Sequence, residues 1–112
     1  MVTPAAGAVV LIHFPVSDLS RTKLRPAVIL ADVGRGDWVL CHITSKSYND
    51  AKAIGLESAS FATGSLRVMS YARPGKLFAA NLSLLVAQVG KLKSESLNQI
   101  IESVVAMLRA GP

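Results

Sequence analysis

Two apolar runs flanking a turn constrain this chain more than any other feature. Ala27 to Ala31 and Trp38 to Ile43 are rich in Val, Ile and Leu, and Asp32-Val-Gly-Arg-Gly-Asp37 between them is turn chemistry, so the pair predicts a β-hairpin. An antiparallel hairpin sets the start of its first strand beside the end of its second. Arg25 therefore comes within side-chain reach of Thr44, with Arg21 and Lys23 just upstream and Ser45 and Lys46 just downstream. A guanidinium next to a hydroxyl, at a strand end rimmed by further cations, suits the binding of phosphate.

The flanking segments extend the β reading. Ala8 to Phe14 alternates Val10, Ile12 and Phe14 against Val9, Leu11 and His13, and apolar residues on both faces predict a strand inside a covered sheet. Pro15 ends it, and the polar connection Val16 to Leu24 is expected to form a flap over the sheet edge. Downstream, Ala51 to Glu57 is a short strand candidate, Ala62 to Ser65 a turn around Gly64, and Leu66 to Tyr71 another strand. Arg73-Pro-Gly75 is expected to turn the chain into a short strand, Lys76 to Ala79, and Asn81 to Val89 to form a short helix stopped by Gly90. The clearest helix is the last segment, where Leu97, Ile100, Ile101, Val104, Val105 and Leu108 recur at three-and-four spacing. Ser94 is its expected N-cap, and Gly111-Pro112 its stop. The fold class that results is α+β and mainly β, a small, strongly bent antiparallel sheet or barrel with a C-terminal α-helix packed on it.

A chain of 112 residues has room for one domain, expected over residues 1–112, with a core that needs no disulfide or metal. The single Cys41 has no partner for an intramolecular disulfide, and a reducing compartment fits. Twelve Lys and Arg stand against seven Asp and Glu, and this excess points to a polyanion or an acidic protein segment as partner, or simply to solubility. The apolar stretch Ala5 to Phe14 has no cation before it and is broken by His13 and Pro15, which argues against an export signal or a membrane span. The expected location is the cytoplasm. Two His, one Cys and scattered acids show no metal-ligand spacing, so neither metal nor cofactor is expected.

The run Gly7-Ala-Val-Val-Leu-Ile-His-Phe-Pro-Val-Ser-Asp-Leu-Ser, then Lys23-Leu-Arg-Pro-Ala-Val-Ile-Leu, then Ile43-Thr-Ser, resembles the MazF/PemK family of toxin endoribonucleases, in particular its PemK-like branch. Ser70-Tyr-Ala-Arg-Pro-Gly-Lys-Leu77 and Gly90-Lys-Leu92 extend the resemblance over nearly the whole chain. It implies an SH3-like barrel with appended helices, usually a homodimer, and the toxin of a type II toxin-antitoxin pair, inhibited by an acidic antitoxin. The implied activity is sequence-specific, metal-independent cleavage of single-stranded RNA by attack of a 2′ hydroxyl on the neighbouring phosphate. Carried over from the family's motifs, Arg25, Thr44 and Arg73 are the catalytic candidates. Taken singly, Arg25 is equally an exposed strand-end cation, Thr44 a strand-terminating turn residue and Arg73 an ordinary loop charge.

Kid-type members place an Asp, proposed as the base, two residues after the third-motif Arg, and this chain has Gly75 there. Asp18, His13 and Glu57 are substitutes by residue type alone, and His42 is expected to satisfy a core or interface hydrogen bond. Candidates for RNA contact are His13, Phe14, Lys23, Ser45, Lys46, Ser70 and Lys76, with Tyr48, Tyr71 and Phe61 as further aromatics. Two alternatives stand beside the nuclease: an inhibitor resembling the gyrase poison CcdB, which shares the fold, and an RNA-binding module that Gly75 has left inactive.

Overall fold

The expected hairpin forms, longer than its apolar runs and closed by a tighter turn. In the computed structural model, which describes residues 5–15, 22–47 and 49–111, β2 spans Thr22–Gly34 and β3 spans Asp37–Thr44. Only Arg35 and Gly36 separate them, with φ of 59° and 79°. Two successive left-handed residues make the type I′ turn that matches strand twist. Asp32 Oδ1 accepts from the Gly34 N–H at 2.8 Å and braces the approach to it.

Before the hairpin, β1 (Ala8–Pro15) pairs with β2, so Lys23 and Leu24, expected in the flap, lie with Arg25 in a strand opposite Phe14, His13 and Ile12. The remainder of the flap, with Asp18 and Arg21, falls outside the described residues, as do Tyr48 and Pro112. After the hairpin come β4 (Ile54–Leu56), β5 (Phe61–Gly64), β6 (Ser70–Asn81), β7 (Leu85–Leu92) and α1 (Ser94–Arg109). The strands form one sheet in the order β4-β6-β3-β2-β1-β7-β5, and every pairing is antiparallel.

That order forces the sheet to curl. β4 and β5 are its two edges, yet only Glu57 to Ser60 connect them. Seven flat strands at about 4.8 Å spacing would hold the edges roughly 29 Å apart. A link of this length spans at most about 17 Å, so the sheet bends into a half-barrel. Inside the bend, Val9, Val28, Cys41, Ile43, Leu56, Phe61, Ala72 and Leu92 pack against Ile100 and Val104 of α1. On the other face Val10, Ile12, Ala27, Ile29, Leu40 and Ala80 form a second buried layer with Trp38, Phe78 and Leu85. β1 lies between β2 and β7 and contributes to both layers, as its two-sided apolar pattern requires.

Several local expectations need correction. Arg73-Pro-Gly75 is not a turn between strands but a bulge within β6. The β3 partners jump from Cys41↔Leu77 to His42↔Arg73, so Pro74, Gly75 and Lys76 are extra residues on the β6 side. A bulge tolerates a proline, which has no N–H for the ladder. Asn81 to Val89 is not a helix: a single 3-10 turn at Leu82–Leu84 leads into β7, which completes the pairing of β1. Gly90 is accordingly not a helix stop. A Cβ there would lie 2.8 Å from the Thr63 carbonyl oxygen and 2.9 Å from the Phe61 ring, so glycine permits β5 to close on β7. Ala62 to Gly64 is strand rather than turn, and of Leu66 to Tyr71 only Ser70 and Tyr71 are strand.

The terminal helix begins one residue earlier than expected, with Lys93 in the N-cap position and Ser94, the expected cap, as its first residue. No helix among the described residues is long and apolar enough to cross a membrane.

Candidate active site

Strand register collects the candidate residues on one face at one end of the sheet. Ala27 pairs with His42, and continuing that register by two residues sets Arg25 opposite Thr44. On its other side His42 pairs with Arg73. Residues two apart on a strand share a face, so Arg25, His42, Thr44 and Arg73 belong to the face that carries Ile12 and Phe14. The bulge then turns Gly75 and Lys76 back toward it. Phe14, His42, Gly75, Lys76, Leu77 and Phe78 line a pocket of about 290 Å³. The Phe14 ring lies 5.8 Å from that of His42 and 5.3 Å, edge-on, from that of Phe78.

The electrostatics converge on His42. Burial holds its imidazole below the ordinary histidine pKa, and the charges of Lys76, Arg25 and Arg73, in that order, push it the same way. Charges influence a titration this way only from nearby, so Arg25 from β2 and Arg73 and Lys76 from β6 lie near the ring. Sequence reasoning assigned His42 to a structural hydrogen bond. Among the described residues neither of its ring nitrogens has a hydrogen-bond partner, and His42 is half-buried at the pocket. The legible signal was its position two residues before Thr44 in the same strand, hence on the same face.

Arg73 is anchored by a residue that the sequence did not single out. Its Nε donates to Asp50 Oδ2 at 3.1 Å, and Asp50 Oδ1 accepts from the Lys52 N–H at 2.9 Å. The Lys52 N–H and, after it, the Arg73 guanidinium hold the Asp50 carboxyl below the usual carboxylate range. The Cys41 thiol donates to the Arg73 carbonyl at 3.2 Å, fixing the backbone where the bulge begins. Thr44 is nearly buried, and its Oγ1 accepts from the Lys46 N–H at 3.2 Å, which leaves the hydroxyl proton as a donor.

The other candidates separate by position. Lys23, opposite Phe14, is exposed on the site face, as is Arg25, and Ser45 and Lys46 are exposed just beyond Thr44. His13 is exposed, but strand alternation turns it to the opposite face from Phe14. Ser70 is buried and its hydroxyl donates to the Val68 carbonyl at 3.0 Å, so it stands apart from the site. Glu57 lies in the link between the sheet edges. No group of three or more His, Cys, Asp or Glu among the described residues is arranged to hold a metal ion.

The fold and sequence have known counterparts. MazF in the MazE-MazF complex from Deinococcus radiodurans is similar at a TM-score of 0.75 and 17% identity, over 94% of this chain and 95% of that one. An endoribonuclease in complex with its cognate antitoxin, from a Mycobacterial species, is similar at 0.67 and 16%, over 100% and 98% of the two chains. The Mycobacterium tuberculosis toxin MazF-mt6 is similar at 0.69 and 14%, over 90% and 95%. Among curated proteins none matches the sequence at a significant level. The profile of the PemK-like, MazF-like toxins of type II toxin-antitoxin systems matches residues 5–108, nearly the whole chain, and the protein belongs to that family.

Proposed function

We propose that the protein is a metal-independent endoribonuclease that cuts single-stranded RNA at a short sequence, as the toxin of a type II toxin-antitoxin pair. The observation that carries this reading is the convergence of Arg25, Arg73 and Lys76 on the His42 pocket beside Thr44. Cleavage by a ribose 2′ oxygen builds negative charge on the phosphoryl oxygens as phosphorus becomes pentacoordinate. Two permanently charged guanidiniums on this face can stabilise that charge more than they stabilise the ground state. The Thr44 hydroxyl adds a neutral donor, and Lys23, Lys46 and Lys76 hold flanking phosphates. The products are a 2′,3′-cyclic phosphate and a 5′ hydroxyl.

The decisive experiment is incubation with a long single-stranded RNA in EDTA. Wild type is expected to cut it and Arg25→Ala and Arg73→Ala to cut it far more slowly; variants as fast as wild type refute the assignment. A gyrase inhibitor is the second reading, and stalled gyrase-DNA complexes without RNA cleavage would reverse the order. RNA binding without product would favour the inactive binding module.

Two partners belong to the proposal. An acidic antitoxin segment would lie across the cationic face and exclude RNA by charge and occupancy, and similar proteins have been crystallised with MazE or with a cognate antitoxin. A homodimer would cover the exposed Leu24 of β2 and Val86 of β7, on the strands either side of β1, together with Leu84 just before β7. The cytoplasm, where messenger RNA is available, is the proposed location.

A further inference from the structure

Within that nuclease reading, one role has no occupant: nothing yet removes the 2′ proton. The residue two places after Arg73 is Gly75, which offers no side chain. Yet Gly75 and His42 line the same pocket, and His42 pairs directly with Arg73 across the β3–β6 ladder. The imidazole projects from a strand rather than a loop, near Arg25, Arg73 and Lys76, with Phe14 against its ring, and among the described residues neither ring nitrogen has a hydrogen-bond partner. We infer that His42 is the proton acceptor for the attacking 2′ hydroxyl, taking over from a neighbouring strand the role that Gly75 leaves vacant.

The step balances without a co-reactant. A ring nitrogen of His42 takes the 2′ proton as the O2′–P bond forms. The P–O5′ bond breaks, the departing O5′ takes a proton from water, and the imidazolium returns its proton to the hydroxide so formed. The charged groups facing the ring are Arg25 from β2 and Arg73 and Lys76 from β6, and all three keep it neutral in the free protein. A phosphate docked among them offsets their charge, so the ring becomes a stronger base when substrate arrives. A cation-ringed histidine is thus ready to accept a proton at neutral pH and is strengthened by the group it acts on.

The test is kcat/KM against pH, from about pH 5 to 9, for wild type, His42→Gln and His42→Asn in EDTA. Binding is measured in parallel with a 2′-O-methyl RNA, which cannot attack itself. Wild type is expected to lose activity tenfold per pH unit below a midpoint lying under 6.5, the ordinary histidine value. Both variants should lose that limb and fall by about 10²–10⁴-fold, as expected for loss of a general base. They should bind the methylated RNA as tightly as wild type, and added imidazole should restore part of the activity of His42→Ala. If the variants fail to fold, the wild-type profile decides, because a rate independent of pH on the acid side overturns the inference. Wild type that leaves RNA intact overturns both the nuclease and the base. Wild type that cuts through Arg25 and Arg73, alongside a His42→Gln protein with the same rate and profile, overturns the base alone.

Discussion

Arg73 Nε donates to Asp50 Oδ2 across 3.1 Å, tying the connection between β3 and β4 to the paired residue that precedes the β6 bulge. The bond engages Nε, one donor of a five-donor fork. A guanidinium held by its Nε is pre-oriented, so less rotamer freedom is lost when a phosphate arrives. The same carboxylate adds negative charge beside the proposed phosphate site, where Arg25 and Lys76 supply positive charge.

Asp50→Asn is expected to slow RNA cleavage by loosening Arg73, with the loss in kcat rather than in RNA affinity. A native carboxyl pKa below its unfolded value of 3.8 stabilises the fold above that pH, and the contribution is lost as pH falls through the native pKa. The Tm difference between wild type and Asp50→Asn should stay constant from about pH 5 to 8 and shrink below about pH 4. A difference that grows on acidification would contradict the pairing.

Arg25→Ala and Arg73→Ala should each reduce kcat/KM by about 10²–10³-fold, the usual cost of one transition-state donor. Arg25→Ala should leave Tm unchanged, because the side chain is exposed. Arg73→Lys is expected to recover little of the activity, since an ammonium lacks the planar fork. Single-turnover cleavage assays with thermal melts separate these outcomes.

Gly75→Asp tests how much room the bulge leaves. A Cβ at Gly75 meets only Met107 Sδ, at an ordinary 3.9 Å, and its φ is not left-handed, so the variant should fold within about 0.5 kcal/mol of wild type. A carboxylate carried by this part of the pocket wall adds negative charge near His42 and should raise the imidazole pKa. The acid limb of the rate profile then moves to higher pH, and a downward shift would count against the shared pocket.

Gly64→Ala is expected to destabilise the fold by about 3 kcal/mol or more. Its φ is +67°, and an added Cβ would run into the backbone of Val89 and Gly90, prying β5 from β7. Urea titration should show the loss with little change in the slope.

Cys41 should resist iodoacetamide in the native protein at pH 8 and react on unfolding. Burial pushes its thiol pKa up to about 12 against a smaller opposing influence of the Arg73 backbone, so almost no thiolate is present. Rapid modification of folded protein would show that β3 opens beside the site.

What was legible in the sequence follows from local physics. The hairpin is encoded by two β-branched runs around residues that tolerate a tight turn, the two-sided burial of β1 by its alternation, and α1 by its three-and-four spacing. Arg25 and Thr44 were legible as a pair because hairpin geometry alone relates them. The rest depended on partners far away in sequence. Leu85 to Leu92 became a strand because β1 had an unpaired edge to satisfy, and Gly90 served a neighbour 27 residues earlier rather than a helix end. Arg73-Pro-Gly75 has turn composition, but β3 supplied a ladder on both sides of it, and a bulge retained that pairing. The same pairing set His42 against Arg73, and the connection beyond β3 brought in Asp50. Residue type and spacing determine which faces are apolar, whereas only the register between distant strands decides which polar groups on those faces meet.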